Sequence, residues 1–270
     1  MHKNRFYARR KLLEIISNKK ALQNKTMNER LRELLKSRDM WKEEAMKLKK
    51  ENLNLHHQIS MIVHGLRTIL DRELESAETM PTRTDEEFLE ILSTNKDETG
   101  ILFHDGTERE IPRPQDEEEQ KENYSGKKKK HTVKNAVIVS CCCTILYISQ
   151  TLCGNVHDKR IADKNYTFPS SIVLYQDSGY QGFHPEGVTI IQPTKEPKGK
   201  LLTEQQKTEN RKISSVRVLV EHIIGSTKRC RIVKDECRLR KNDFIKHVLH
   251  TCAALHNFRI KINPFRYNFN

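Results

Sequence analysis

KISSVRVLVEHIIGSTKRCRIVK, residues 212–234, is the stretch on which the reading of the whole chain turns. Val216, Leu219, Val220, Ile223 and Ile224 recur at the i, i+3, i+4, i+7, i+8 spacing of a helix with one buried face. A single acid, Glu221, stands in this basic and apolar pattern, with Arg217 four residues before it and Lys228 seven after it. In the plainer reading, Arg217 pairs with Glu221 one turn away on a solvated ridge. In the other, Glu221 is one of several acids gathered from distant parts of the chain. What lies upstream decides between them.

The residues before this helix form a series of short β-rich runs. ILFHDG (101–106) sets three apolar residues ahead of Asp105 and Gly106, a strand expected to end in a turn. After a polar loop ending in a basic run, HTVKNAVIVS and TILYISQTL are expected to form a hairpin through Cys141, Cys142 and Cys143. GNVHDKRIADKN reads as a short helix starting near Asp158. SSIVLYQDSGY is a further strand, apolar until Asp177 and broken by Ser178 and Gly179. GVTIIQP is a fifth strand ended by Pro193, and the helix carrying Glu221 begins near Leu202. The order β-β-β-α-β-β-α is that of a ribonuclease H-like α/β (α+β) fold. It has a mixed five-stranded sheet with flanking helices, three strands antiparallel and the fourth returned beside the first by a crossover.

In that topology Asp105 and Asp177 lie side by side, and a late helix packed across the sheet brings Glu221 to the same edge. Three carboxylates so close cannot all stay ionised without a compensating cation. Two Mg²⁺ or Mn²⁺ ions, about 3.5–4 Å apart, would supply that charge, because an oxygen-only ligand set suits hard cations rather than zinc. The implied chemistry is in-line attack on a phosphodiester.

The charge distribution agrees. The chain has 270 residues, a net charge of +13, 36% hydrophobic and 31% charged residues. Residues 1–75 carry 18 basic and 10 acidic side chains, residues 76–124 carry 5 and 15, and residues 125–270 carry 26 and 11. A basic body joined to a basic arm through an acidic connector calls for a polyanionic partner, most simply DNA. Lys127, Lys128, Lys129 and Lys130 are candidates to grip a phosphate backbone, as are Lys195, Lys198 and Lys200, or these are solvated loops. No membrane partner is expected, since there is no transmembrane run, signal peptide or lipidation motif. Seven cysteines, three of them adjacent, make a poor disulfide framework and point to a reducing compartment.

Ahead of the sheet region, Leu34, Trp41, Leu48, Leu55, Ile62 and Ile69 fall seven apart, with Leu31, Ala45, Ile59 and Leu66 interleaved. Sustained over about five heptads, this predicts a long coiled-coil helix, pairing as a homodimer through residues 27–70 or folding back on the rest of the chain. The expected parts are a basic helical arm over residues 1–75, an acidic linker over 76–99, a catalytic domain over 100–262 and a tail over 263–270.

Four strings resemble the DDE-superfamily transposases of the bacterial insertion-sequence and Harbinger-like group. They are HDGTEREIPRP, YSGKKKKHTVKN, GNVHDKRIAD with YQDSGYQG, and LTEQQKTENRKISSVRVLVEHIIGSTKRCRIV. The resemblance implies that Asp105, Asp177 and Glu221 are the catalytic, metal-binding triad. It implies that Arg217 and Lys228 hold DNA phosphates, and that His157 and Asp158 form a motif near the site. The family's Tyr three residues before the Arg is replaced here by Ser214. The helix-turn-helix usual ahead of the first Asp is replaced by the heptad pattern. The expected function is cleavage and joining of transposon DNA ends, in the nucleus of a eukaryote or the cytoplasm of a bacterium. The competing expectation is a decayed or domesticated transposase, a dimeric DNA-binding protein without nuclease activity.

Overall fold

The computed structural model describes residues 27–94, 100–165, 167–169, 171–196, 199, 201–236 and 242–264. The basic stretch 1–24, Lys198, Lys200, Cys237 and residues 265–270 lie outside the described residues. The chain divides into two units at Gly65 and Leu66. The heptad pattern is helical: α1 spans Met27–Ser76. In the first unit its core positions are open to solvent, with Leu34 60%, Leu48 53%, Leu55 54% and Ile62 62% exposed. A row of large apolar side chains more than half exposed is a face without a covering partner.

The second unit is built on a sheet. Its elements are α2 (Asp85–Thr94), β1 (Ile101–Glu110), α3 (Glu117–Asn123), β2 (Tyr124–Ser125), β3 (Lys130–Ser140), β4 (Ile145–Ile148), β5 (Leu152–Cys153), α4 (Asp158–Asn165), β6 (Ile172–Gln176), β7 (Val188–Ile191), α5 (Glu204–Thr227), α6 (Arg231–Lys234) and α7 (Asn242–Ile262). The strands run in the order β2-β3-β1-β6-β7, with β4 and β5 also paired to β3. β1, β3 and β4 are antiparallel, whereas β6 lies parallel to β1 and β7 parallel to β6. This is the ribonuclease H-like order, with β2 and β5 as two-residue additions. The hairpin from β3 to β4 turns at the cysteine triplet, where Cys143 takes φ 67°.

One strand differs from expectation. β1 does not stop at Asp105 but continues to Glu110, because TEREI alternates in sidedness and pairs with the first half of β3, from Thr107↔Asn135 to Glu110↔Thr132. What ends at His104 is only the pairing with β6, whose last register pair is His104↔Gln176. From Asp105 onward β1 is bonded on one side only.

On one face of the sheet, Leu102, Ile138, Leu174 and Tyr147 form a core with Phe88 and Leu92 of α2 and Ile161 and Ala162 of α4. Phe88 is fully buried and its ring meets Tyr147 at 5.1 Å and Phe168 at 5.8 Å between centroids. Burying such a side chain is worth roughly 1.5–3 kcal/mol, so residues 85–94 belong energetically to the sheet. The segment leading to it is also tied down, since Thr82 exchanges backbone hydrogen bonds with Leu146 (2.8 Å) and Ile148 (3.0 Å) of β4. On the other face, Ile224 and Thr227 of α5 and Leu249 and Ala253 of α7 cover Thr107, Val137 and Ile145. α7 is locked by its polar residues: Asn257 Nδ2 donates to the carbonyls of Thr79 (3.0 Å) and Ile145 (2.8 Å), and its Oδ1 accepts from the Ile145 amide (2.9 Å).

Two glycines test this packing in opposite directions. A Cβ on Gly154 would stand 2.2 Å from Thr132 Oγ1 and 2.8 Å from the Asn123 and Thr132 carbonyls, whereas one on Gly225 meets nothing within 4 Å. Gly154→Ala is therefore expected to destabilise by about 1–3 kcal/mol in urea unfolding. Gly225→Ala, an open helix interior position, should stabilise by about 0.5–1 kcal/mol.

Candidate active site

The parallel pairing of β1 and β6 stops at His104 and Gln176, and the next residue of each segment is an aspartate: Asp105, still paired with Val137 of β3, and Asp177, which leaves the sheet. Each is fixed in the same way. Asp105 Oδ1 accepts from the Gly106 amide at 2.8 Å, and Asp177 Oδ1 accepts from the Ser178 amide at 2.8 Å. The second oxygen of each carboxylate accepts no hydrogen bond among the described residues. Asp177 also caps the short 3-10 turn Ser178–Tyr180.

α5 supplies the third acid. The helix starts at a capping box in which Thr203 Oγ1 accepts from the Gln206 amide (3.2 Å) and Gln206 Oε1 accepts from the Thr203 amide (3.0 Å). It buries Leu219, Val220 and Ile223 as the sequence period predicts, and leaves Glu221 exposed. Arg217 is the surprise. Its side chain is buried, and its Nη1 donates to Asp177 Oδ1 at 3.3 Å rather than to Glu221. The intrahelical Arg217–Glu221 pair of the plainer reading is not made, because Arg217 lies on the inner face of α5, toward the sheet.

The electrostatics bind these groups into one cluster. The Asp105 carboxyl is pushed up to about 6, first by its removal from water. The Gly106 amide and the Arg217 guanidinium pull it back down, and the charges of Asp177 and Glu221 raise it further. Burial likewise lowers the ammonium of Lys228, which feels Lys128 and Arg109 as like charges and Asp105 and Glu108 as opposite ones. Thus Asp105 and Asp177 follow the last β1–β6 register pair, Arg217 pairs with Asp177, and Asp105 feels the charges of Glu221 and Arg217 as Lys228 feels that of Asp105. Lys127, Lys128 and Lys129 are all exposed, and Lys130 is held by Glu110 at 2.7 Å.

Asp158 opens α4 at its first helical position, where the Ile161 amide bonds to the His157 carbonyl. Its carboxylate lies between Gly106 of β1 and Gly179 of the turn after Asp177. A Cβ on Gly106 would lie 3.5 Å from Asp158 Oδ1, and one on Gly179 would lie 3.2 Å from Oδ2. Lys134 Nζ stands 3.6 Å from Asp158 Oδ1 and donates to the Val156 carbonyl at 3.1 Å. His157 is exposed.

The floor of the site is made by His104, which no sequence signal singles out, with Tyr180 and Phe183 just past Asp177. His104 is fully buried, its ring 3.8 Å from that of Tyr180 and 6.1 Å from that of Phe183. Desolvation, with a smaller push from Arg217, holds the imidazole neutral with a pKa of about 3. Tyr180 is buried too and anchors the turn after Asp177. Lys134 lay unremarked inside a β-rich run. Only its pairing with Asp158 across the crossover reveals it.

A family model described as a DDE superfamily endonuclease matches residues 104–257, more than half of the chain. The chain belongs to this family. Over 102 residues it is 32% identical to a protein of Microchaete diplosiphon described as a probable transposase for insertion sequence element IS702. That match covers 36% of this chain and 37% of the relative, so it spans little more than a third of the relative's length. No solved structure gives a significant match. The matched family segment begins one residue before Asp105 and includes Asp177, Glu221, Arg217 of α5 and Lys228 at its C-cap.

DDE endonucleases as a family use divalent metal ions, and the donor set here suits them: three carboxylates, one of which is driven toward protonation by burial and by the other two. Among the described residues no three His, Cys, Asp or Glu side chains stand close enough to hold a metal as they are placed. Arg217, on Asp177, occupies the position of positive charge.

The raised Asp105 has a measurable sign. A folded-state pKa of about 6 against 3.8 means that the folded protein binds more protons between those values, so stability is lost as pH rises through that window. Asp105→Asn is therefore expected to raise thermal stability in metal-free buffer at pH 7.5 by on the order of 2 kcal/mol. The gain should shrink toward zero below pH 4. Added Mn²⁺ should stabilise the wild type and not the variant.

Proposed function

We propose that this chain is a metal-dependent DNA endonuclease that cuts and joins phosphodiester bonds at transposon ends. In this reading Asp105, Asp177 and Glu221 hold Mg²⁺ or Mn²⁺, two ions in the working complex. The observation that carries it is the single cluster of Asp105 with Asp177 and Glu221, in which the buried Asp105 carboxyl is lifted by both neighbours. Family membership and the resemblance to a transposase support the same conclusion.

Held by Asp105, Asp177 and Glu221, such ions would supply a lowered pKa for an attacking water or 3′-hydroxyl and charge stabilisation for the leaving oxygen. The remaining work belongs to the chain. Lys228 and Lys128 present positive charge on the side of Asp105 and would draw in a backbone phosphate. Arg217 holds Asp177 in the orientation set by the Ser178 amide and serves as an inner counter-charge to the acids. Asp158 and Lys134 brace the backbone that follows each aspartate, at Gly106 of β1 and at Gly179 of the turn after Asp177. His104, neutral and stacked on Tyr180, gives the turn after Asp177 a rigid floor. The compartment follows the substrate, the nucleus in a eukaryote and the cytoplasm in a bacterium.

The parts would divide the labour as a helical arm over residues 1–75, a connector over 76–99, the catalytic domain over 100–262 and a tail. A second copy is the natural cover for α1, joining through residues 27–70, since the exposed heptad positions match the self-complementary seam of a coiled coil. Each apolar residue sealed there contributes roughly 1.5 kcal/mol or more.

Two measurements test this reading. Asp177→Asn and Glu221→Gln should each reduce Mn²⁺-dependent nicking of a duplex by roughly 10²–10⁴-fold while duplex affinity is retained. Wild-type binding without any nicking would instead identify a decayed transposase that only holds DNA. Separately, Leu48→Lys with Leu55→Lys should convert a dimer to a monomer in sedimentation equilibrium, leaving the thermal unfolding of the sheet unit in place.

A further inference from the structure

A groove of about 390 Å³ lies between α5 and α7, away from the carboxylate cluster. His222, Ser226 and Arg229 line it from the α5 side, and His256 and Arg259 from α7. At 100° per residue, His222 and Ser226 project about 100–140° around the helix axis from Glu221, so the groove opens on a different side. Among the described residues no acidic side chain lines it. Two other grooves of similar size differ in this respect: one contains Glu119 and Glu122, the other Asp71 and Glu75.

The cationic groups are mounted on a fixed chain of hydrogen bonds. His256 is buried and its Nε2 lies 2.9 Å from the Cys143 carbonyl, which can only accept, so Nε2 carries the proton. Nδ1, 3.1 Å from Ser226 Oγ, must then accept, and Ser226 donates to it. The same hydroxyl accepts from Arg259 Nη2 at 3.0 Å. Arg259 is thereby tethered while its guanidinium stays exposed, and Arg229 is exposed beside it. Burial, with the charges of Arg259 and Arg229, keeps the His256 ring neutral, so the imidazole serves as a strut. Guanidinium forks with further N–H groups to donate suit the oxygens of a phosphodiester.

We propose that this groove seats a second stretch of DNA phosphate backbone, held by Arg229 and Arg259, on the side of α5 turned from Glu221. A helix with its side chains is about 10–12 Å across, close to the roughly 12 Å width of the major groove. One backbone beside Lys228 and another at Arg229 and Arg259 are therefore compatible with a single bound duplex. The inference takes its partner from the DNA reading above but needs no cleavage.

The test compares the full chain with its Arg229→Gln/Arg259→Gln form, and with Arg229→Glu, which disturbs no hydrogen bond of the strut. The probes are a fluorescein-labelled linear duplex of random sequence and a covalently closed circle of the same composition, titrated over a range of salt. The slope of log affinity against log salt should fall by about 2 in the double variant. Thermal unfolding, and nicking in Mn²⁺ at saturating DNA, should remain those of the wild type. A lowered slope on both probes places the groove on DNA remote from an end, and one on the linear probe alone places it on the end itself. An unchanged slope on both probes, or a wild type with no salt-dependent binding, overturns the proposal. A lowered slope in a protein that never nicks removes the nuclease reading and leaves the groove standing.

Discussion

Everything at the candidate site depends on where two parallel strands stop bonding to each other. β1 and β6 stay in register as far as His104 and Gln176, and the next residue on each is an aspartate. Had the register slipped by one residue, each acid would point to the opposite face of its strand. The slip is opposed by the buried residues behind the junction, where His104 stacks on Tyr180, and Gln176 Nε2 donates to Gln192 at 3.0 Å and to the Phe183 carbonyl at 3.4 Å. The polar layer beneath the acids thus fixes their address. It is made of neutral groups, which add no charge to a site that already has too much.

The excess charge is the second constraint. A carboxylate drawn out of water beside two others is unfavourable, and two devices reduce the cost. Backbone amides bond one oxygen of each aspartate, and the buried guanidinium of Arg217 lies against Asp177. These do not cancel the desolvation, since the Asp105 carboxyl still sits near 6. The residual strain is what a divalent cation would relieve. Asp158 shows the contrasting solution: a fourth carboxylate in the same neighbourhood is matched by its own Lys134 and so acts as a brace between β1 and the turn after Asp177.

How much of this was legible in the sequence varies with the physics of each element. α5 was plain, because its apolar period and its lone acid are local patterns that survive folding. The heptads of α1 were plain for the same reason. The two aspartates could be found as the polar ends of apolar runs, yet the turn inferred at Gly106 was wrong. A strand bonded on one side only has the same local composition as a strand that stops, and only pairing with β3 distinguishes them. The partner of Arg217 was equally hidden. One turn of helix separates it from Glu221 and 40 positions of chain from Asp177, and burial, which no spacing encodes, selects the distant acid. Within the acidic connector, the apolar patch Phe88, Leu89, Ile91 and Leu92 reads as a helical turn or two; that it docks on the sheet through Phe88 and Leu92 is a matter of burial that no spacing encodes.

The helix α5 carries both Arg217, which neutralises Asp177, and Glu221, which adds negative charge to the same cluster. Counter-ion and acid are thus mounted one turn apart on a single stiff rod. Any twist or slide of that rod relative to the strands alters the attraction and the repulsion together, so the charge balance at the strand ends is set by the seating of one helix rather than by two independent side chains. Nucleic acid pressing on the outer side of the rod, at Lys228 or along its flank, has in this arrangement a mechanical route to the acids beneath.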